Sequence, residues 1–350
     1  MISFTIRIPG GGAAGETEGA AVNIARKSSD LTAPLRGLVG GPQFAVARMK
    51  FMAWWNGEEF DAAAAAELLR AAAAEGAAEP APAGHGETWR PKVQDLWNRA
   101  RIAQWLWGDG HLAPFADDLY VDYAQALLMN SEKSLAILEA GLCGGARAIA
   151  KETGVWVSAF EGRERLIEAA TEQNAAAGLG KKVVLEPSSP EGPALPEAKF
   201  QGVLSVAETI FVEDKKALFA SVKQALQKDG GFLCVDYVAQ EGAEPSDVSS
   251  CFSSHWGDVH LWPADRQVDT LEGLGFDVRV RENVTAVHLD HVSAGWARWR
   301  RVVDEIEGAN LDAEDRGALL QILNEEAELW ANRMAALNDG RLQLYRFLAF

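Results

Sequence analysis

Six short apolar runs, Leu135–Leu138, Val155–Phe160, Val183–Leu185, Gly202–Ser205, Phe232–Tyr237 and Phe276–Val280, recur along the chain with segments of helical pattern between them. Strands rich in valine, leucine and isoleucine that alternate with helices predict a mostly parallel sheet covered on both faces. The expected class is α/β with a doubly wound sheet. The alternating segment "GRLQLYRFLAF" predicts a further strand that returns to the sheet edge. Before it, the helical pattern from about His288 to Asn338 predicts a helical insertion. There is no internal repeat.

The 350 residues suffice for a substantial core, and three regions are expected. Residues 1–45 form a glycine-rich arm with one short strand, Ile2 to Ile8. Residues 46–125 form a helical region broken by an alanine, proline and glycine linker near 77–88. Residues 126–350 form the α/β domain, including the insertion 288–338. A formal charge of -17 repels phosphate backbones and argues against a nucleic-acid partner. No apolar run reaches the roughly 18 residues that span a bilayer, which argues against a membrane partner. Cys143, Cys234 and Cys251 form neither a disulfide framework nor a C-x-x-C pair, so a reducing, cytoplasmic setting is expected. The arm and the alanine-rich helix "DAAAAAELLRAAAAEG" are expected to meet a protein partner or a second copy of the chain.

The chemistry concentrates in "SLAILEAGLCGGARAIAKETGVWVSAFEG", Ser134 to Gly162. It reads as a strand, a glycine turn, a helix and a second strand ending on an acid. In an open α/β sheet the ligand lies beyond the carboxyl ends of the strands, where the first turn brings bare backbone against it. Gly141, Gly144 and Gly145 supply that turn, and Glu161 is placed to accept hydrogen bonds from two ribose hydroxyls. Plain turn chemistry is the other reading of these glycines. Cys143 stands among them, and a left-handed backbone there would cost roughly 1 kcal/mol.

Elsewhere the signals are local. His111, in "GDGHLAP", is a candidate base or a loop residue. Asp236 and Tyr237, at the end of the fifth apolar run, are candidates to orient an acceptor and to wall its pocket; a structural strand end is the alternative for both. The pairs His255 with His260 and His288 with His291 lack further ligands at metal-binding spacing, so no metal is expected. The chain has 12 tryptophans. Trp54, Trp55, Trp89, Trp97, Trp105 and Trp107 crowd the N-terminal helices, where they are expected to line a substrate lid or fill a packing interface, their helical spacing favouring packing for most. Trp296, Trp299 and Trp330 are expected to pack beneath the same lid.

These residues resemble the class I S-adenosylmethionine-dependent methyltransferases, in particular the small-molecule N- and C-methyltransferases related to phosphoethanolamine and sarcosine enzymes. The resemblance runs from about Ala53 onward. "WLWGDGHLAPF" is similar to the segment preceding that family's core. "KFQGVLSVAETIFVEDKKALFASVKQALQKDGGFLCVDYV" is similar to its fourth strand, helix, turn and fifth strand, and "LEGLGFDVRVRENVT" to its last helix and sixth strand. The resemblance implies a seven-stranded Rossmann-like sheet with an antiparallel seventh strand. It also implies S-adenosylmethionine as cofactor, a small-molecule substrate, and Glu139, Gly141, Cys143, Gly145, Glu161, Ser189 and Ser205 as cofactor-binding positions. Cys143 replaces a glycine of the pattern, Ser189 an adenine-facing acid and Gln201 an aspartate. Two functions are therefore expected: a small-molecule methyltransferase, or a methyltransferase fold that has lost its chemistry and serves as a binding or assembly subunit. A dehydrogenase fits the pattern after Glu161 less well.

Overall fold

The computed structural model describes residues 63–64, 66–67, 93–189, 192–240, 242, 248, 251–252 and 257–350. The arm 1–45, the linker near 77–88, Trp54, Trp55, Trp89 and His255 lie outside the described residues.

Seven strands form one sheet in the order β3-β2-β1-β4-β5-β7-β6. They are β1 Ser134–Leu138, β2 Trp156–Glu161, β3 Val183–Pro187, β4 Phe200–Val206, β5 Leu226–Ala239, β6 Val278–Asn283 and β7 Leu342–Ala349. β1 to β5 run parallel, and β7 runs antiparallel to both its neighbours. The seven-stranded, doubly wound α/β class is borne out, but β7 does not return to the edge. It lies between β5 and β6, because its two rows of backbone groups pair with Phe232 to Ala239 on one side and with Val278 to Asn283 on the other. Among the described strands, that leaves β6 at one edge and β3 at the other.

Alternate residues of each strand feed opposite layers. Leu135 and Ile137 of β1 join Leu204, Val206, Leu233, Val235 and Tyr237 in one core, whereas Ala136 and Leu138 join Val203, Phe232 and Cys234 in the other. The first layer is covered by α2 (Asp117–Ala126), α3 (Gly144–Thr153) and the end of α9 (Ala313–Asn338). The second is covered by α5 (Lys215–Ala225) and α6 (Ala264–Gly273). Two of these helices start on side-chain caps, Asp214 Oδ1 accepting from Ala217 N–H at 2.9 Å and Asp312 Oδ1 from Asp315 N–H at 2.8 Å.

α1 (Val93–Trp107) ends at the tryptophan where the sequence pattern ends, and α4 (Glu164–Ala176) follows β2. The insertion is three helices: α7 (Thr285–Trp296), α8 (Trp299–Gly308) and α9. Trp107 packs against Trp296 and Trp330 with ring centroids 6.1 and 5.1 Å away, as the packing assignment expects. The α7 backbone comes so close that a Cβ on Gly295 would lie 2.1 Å from the Trp107 ring. Gly295→Ala should therefore lower stability by about 1–3 kcal/mol through overpacking, outweighing alanine's better helix propensity. A urea midpoint unchanged from the parent would contradict this.

Candidate cofactor and acceptor site

The turn after β1 is tight because three of its five residues take left-handed backbone: Glu139 (φ 46°), Gly141 (φ 57°) and Cys143 (φ 60°). Cys143 thus bears the conformational cost expected of it. Its side chain is fully buried in the core behind the turn and lines none of the described cavities. Burial pushes the thiol up to about 12, against opposing pulls from Asn174 and Arg147. Cys234 and Cys251 are also buried. All three should react slowly with a thiol reagent at neutral pH and fast once the chain is unfolded; rapid labelling of native protein would contradict the burial.

Glu161 is fully buried at the carboxyl end of β2. Its Oε2 accepts from Gly141 N–H at 2.8 Å, tying the second strand to the turn of the first. The remaining bonds come from its neighbour. Arg163 donates to Oε1 from its backbone N–H (2.9 Å) and Nε (2.6 Å), and to Oε2 from a terminal nitrogen (2.8 Å). Glu139 Oε2 stands 3.9 Å from the same guanidinium. Burial pushes the Glu139 carboxyl upward, helped by the like charge of Glu161 and opposed by Arg163. Glu208, in the loop after β4, is pushed well above the usual carboxylate range, again by burial first, with Arg163 opposing.

Around this group lie three cavities, and Glu208 borders all of them. The largest, about 740 Å³, runs along the carboxyl ends of β1, β2 and β4 and is lined by Glu139, Arg163, Ser189, Ser205 and Thr209. Ser205 Oγ is buried without a protein partner there. A second, about 40 Å³, lies against Gly141 and Gly145 under Leu112 and Tyr120. A third, about 80 Å³, is walled by Tyr237, Phe252, Trp330 and Arg333. The Arg333 guanidinium sits 4.2 Å from the Trp330 ring centroid and 4.5 Å from that of Phe252. Tyr237 Oη is 2.7 Å from His288 Nε2, and burial lowers His288 to about 3, so that imidazole is neutral.

Glu139, Ser189 and Ser205 thus line the wide cavity, Gly141 and Gly145 the second and Tyr237 the third, while Glu161 is buried behind them, bonded to Gly141. The structure sets Asp236 and Gln201 apart. Asp236 lines none of the described cavities; it is buried beside Lys215 (3.5 Å) and accepts from Thr209, on the face of β5 opposite Tyr237. His111, a buried loop residue held by Asp117 at 2.7 Å, does line the second cavity, beside Gly141 and Gly145. Gln201 sits at the amino end of β4, where its Oε1 accepts from Ser134 N–H at 2.7 Å, so its replacement of an aspartate removes no ligand contact. No cluster with metal-binding geometry occurs among the described residues. Sequence reasoning missed Arg163, two residues past the acid, and Glu208. It also left His288 as half of a loose pair, because its partner Tyr237 is 51 residues away.

The residues suit an adenosyl group in chemistry: an acid at the sugar position, a bare turn, and an unpartnered hydroxyl on an open cavity. Groups of the chain itself now hold several of those positions. A Cβ on Gly141 would lie 2.9 Å from Leu112, and one on Gly145 2.3 Å from the Tyr120 ring. The Gly144 N–H, at the start of α3, donates to the Gly110 carbonyl at 3.0 Å.

This sheet order is that of the class I S-adenosylmethionine-dependent methyltransferase fold. Among solved structures, the chain is similar to the Haemonchus contortus phosphoethanolamine N-methyltransferase 2 in complex with phosphomonomethylethanolamine and S-adenosylhomocysteine. The TM-score is 0.61 at 17% identity, covering 75% of this chain and 60% of that one. A Galdieria sulphuraria protein assigned as a sarcosine dimethylglycine methyltransferase gives a TM-score of 0.61 at 15% identity, over 73% of this chain and 97% of that one. A Yarrowia lipolytica sterol 24-C-methyltransferase is 21% identical over 168 residues, 46% of this chain and 44% of that protein. The chain thus spans less than half of that curated relative. No family model matches.

Because the fold favours the neutral form of Glu208, that acid contributes stability below the unfolded carboxylate range and loses it as pH rises through its raised folded value. Glu208→Gln mimics the neutral acid. It should raise the melting temperature over the parent at pH 8, with the difference closing toward pH 4; a constant difference would contradict the raised value.

Proposed function

We propose that this chain is an S-adenosylmethionine-dependent methyltransferase acting on a small molecule, working in the cytoplasm. The observation that carries the reading is Glu161: a fully buried carboxylate, bonded to the first N–H of a left-handed glycine turn, beside a cavity of about 740 Å³ at the carboxyl ends of the strands. The structural neighbours include an enzyme in complex with S-adenosylhomocysteine, which supports the same ligand. When bound, the cofactor supplies an activated methyl group on a sulfonium.

The chain's own residues would do the rest. Glu161 would grip the sugar hydroxyls, Ser189 and Ser205 would border the base, and the turn would admit the amino-acid end once the covering residues Leu112 and Tyr120 shift. Transfer of this kind depends on in-line positioning and exclusion of water. The small cavity beside Glu208 combines aromatic walls with Arg163, Glu326 and Arg333, and Tyr237 would present a hydroxyl oriented by neutral His288 toward the acceptor. No described helix is long and apolar enough to cross a membrane, in keeping with a small-molecule acceptor.

A second reading, a methyltransferase fold serving as a binding or assembly subunit, draws on the contacts already held by Arg163 and Gly110. Assembly through residues 1–45 would show as a change in mass on their removal. Calorimetry with S-adenosylmethionine separates the two readings. The first expects measurable binding in the parent, weakened about 10- to 100-fold in Glu161→Gln by loss of charge-assisted hydrogen bonds. No heat at millimolar ligand would overturn it in favour of the second.

A further inference from the structure

A carboxylate offers about four lone-pair positions. Those of Glu161 are matched by four donors: Gly141 N–H, and the N–H, Nε and a terminal nitrogen of Arg163. A sugar diol therefore has nowhere to bond until one donor leaves. The two backbone groups are fixed by the turn and by the chain itself. Only the guanidinium, on its rotatable stem, can withdraw.

It has somewhere to go. Arg163 lines both the cavity of about 740 Å³ and the one of about 80 Å³, and its side chain keeps 24% of its surface exposed. Its charge is also what holds the site together, because Glu161 at 2.6 Å and Glu139 at 3.9 Å both face this guanidinium. If the guanidinium turns away, Glu161 loses its compensating charge, with the Glu139 carboxyl still beside it. A ligand that brings a positive charge of its own restores it; a neutral ligand of the same shape does not.

We propose that Arg163 is a built-in placeholder for the cofactor, occupying the sugar-binding face of Glu161 and supplying the charge that a sulfonium ligand replaces when the guanidinium swings into the wide cavity. The idea rests on the methyltransferase reading and adds two properties to it. The exchange weakens binding of every adenosyl ligand, and it makes the site discriminate by charge. S-adenosylmethionine carries one more positive charge than S-adenosylhomocysteine, so the acids favour it.

The test is calorimetry of the full chain, Arg163→Met and Arg163→Ala with each of these two ligands, with circular dichroism to confirm that both variants fold. Arg163→Met keeps the apolar stem and removes only the charged head. The expected result is at least tenfold tighter binding of S-adenosylmethionine by both variants, with its preference over S-adenosylhomocysteine widened. Binding by a variant where the parent gives no heat would also support the placeholder, while overturning the active reading of the parent. Parent binding as tight as or tighter than that of the folded variants would overturn the placeholder alone. No heat from parent or folded variants with either ligand would overturn both.

Discussion

The bond from Gly141 N–H to Glu161 joins the two loops on which the whole site is built. It crosses from the turn after β1 to the end of β2 with a fully buried negative charge as acceptor. An unpaired charge in that position would cost several kcal/mol. Everything nearby answers that demand: Arg163 folds back onto the carboxylate, and Glu139 and Glu208 are tolerated because the same guanidinium faces them. The tightness of the turn has the same origin, since a backbone bent through three left-handed residues aims the Gly141 N–H at the acid.

A comparable economy operates on the opposite face of the sheet. Lys215 and Asp236, both fully buried, pair between α5 and β5, with the ammonium 5.6 Å from the Trp262 ring centroid. Removing one partner of such a pair leaves the other charge stranded and costs about 3–5 kcal/mol, so the pair anchors the helix that bounds the wide cavity. Asp236 therefore contributes to the site by fixing its wall, whereas Tyr237, the next residue, points the other way and lines it.

Much of this was legible in the residues. The six apolar runs mark β1 to β6, since strands buried on both faces carry continuous apolar sequence. Glu161 was legible from its place at the end of β2, and the strain at Cys143 from its neighbours. The site's closure was not. Arg163 reads as an ordinary helix-entry residue until its partner is located in space, and nothing in the pattern around Leu112 and Tyr120 says that these two side chains cover the turn. Tyr237 and His288 meet only because β5 and α7 pack together. The position of β7 escaped for a similar reason: alternation fixes which side of a strand is apolar, but not which neighbours it takes.

That position has a consequence for how the chain comes to be folded. Among the described strands, β6 has a single partner, and that partner is assembled from residues roughly sixty positions further along. During synthesis, β6 and the three helices after it emerge with an unsatisfied row of peptide groups, and they stay so until Leu342–Ala349 has been made and inserted. The strand of this sheet made last is thus the one that ties β6 to the rest.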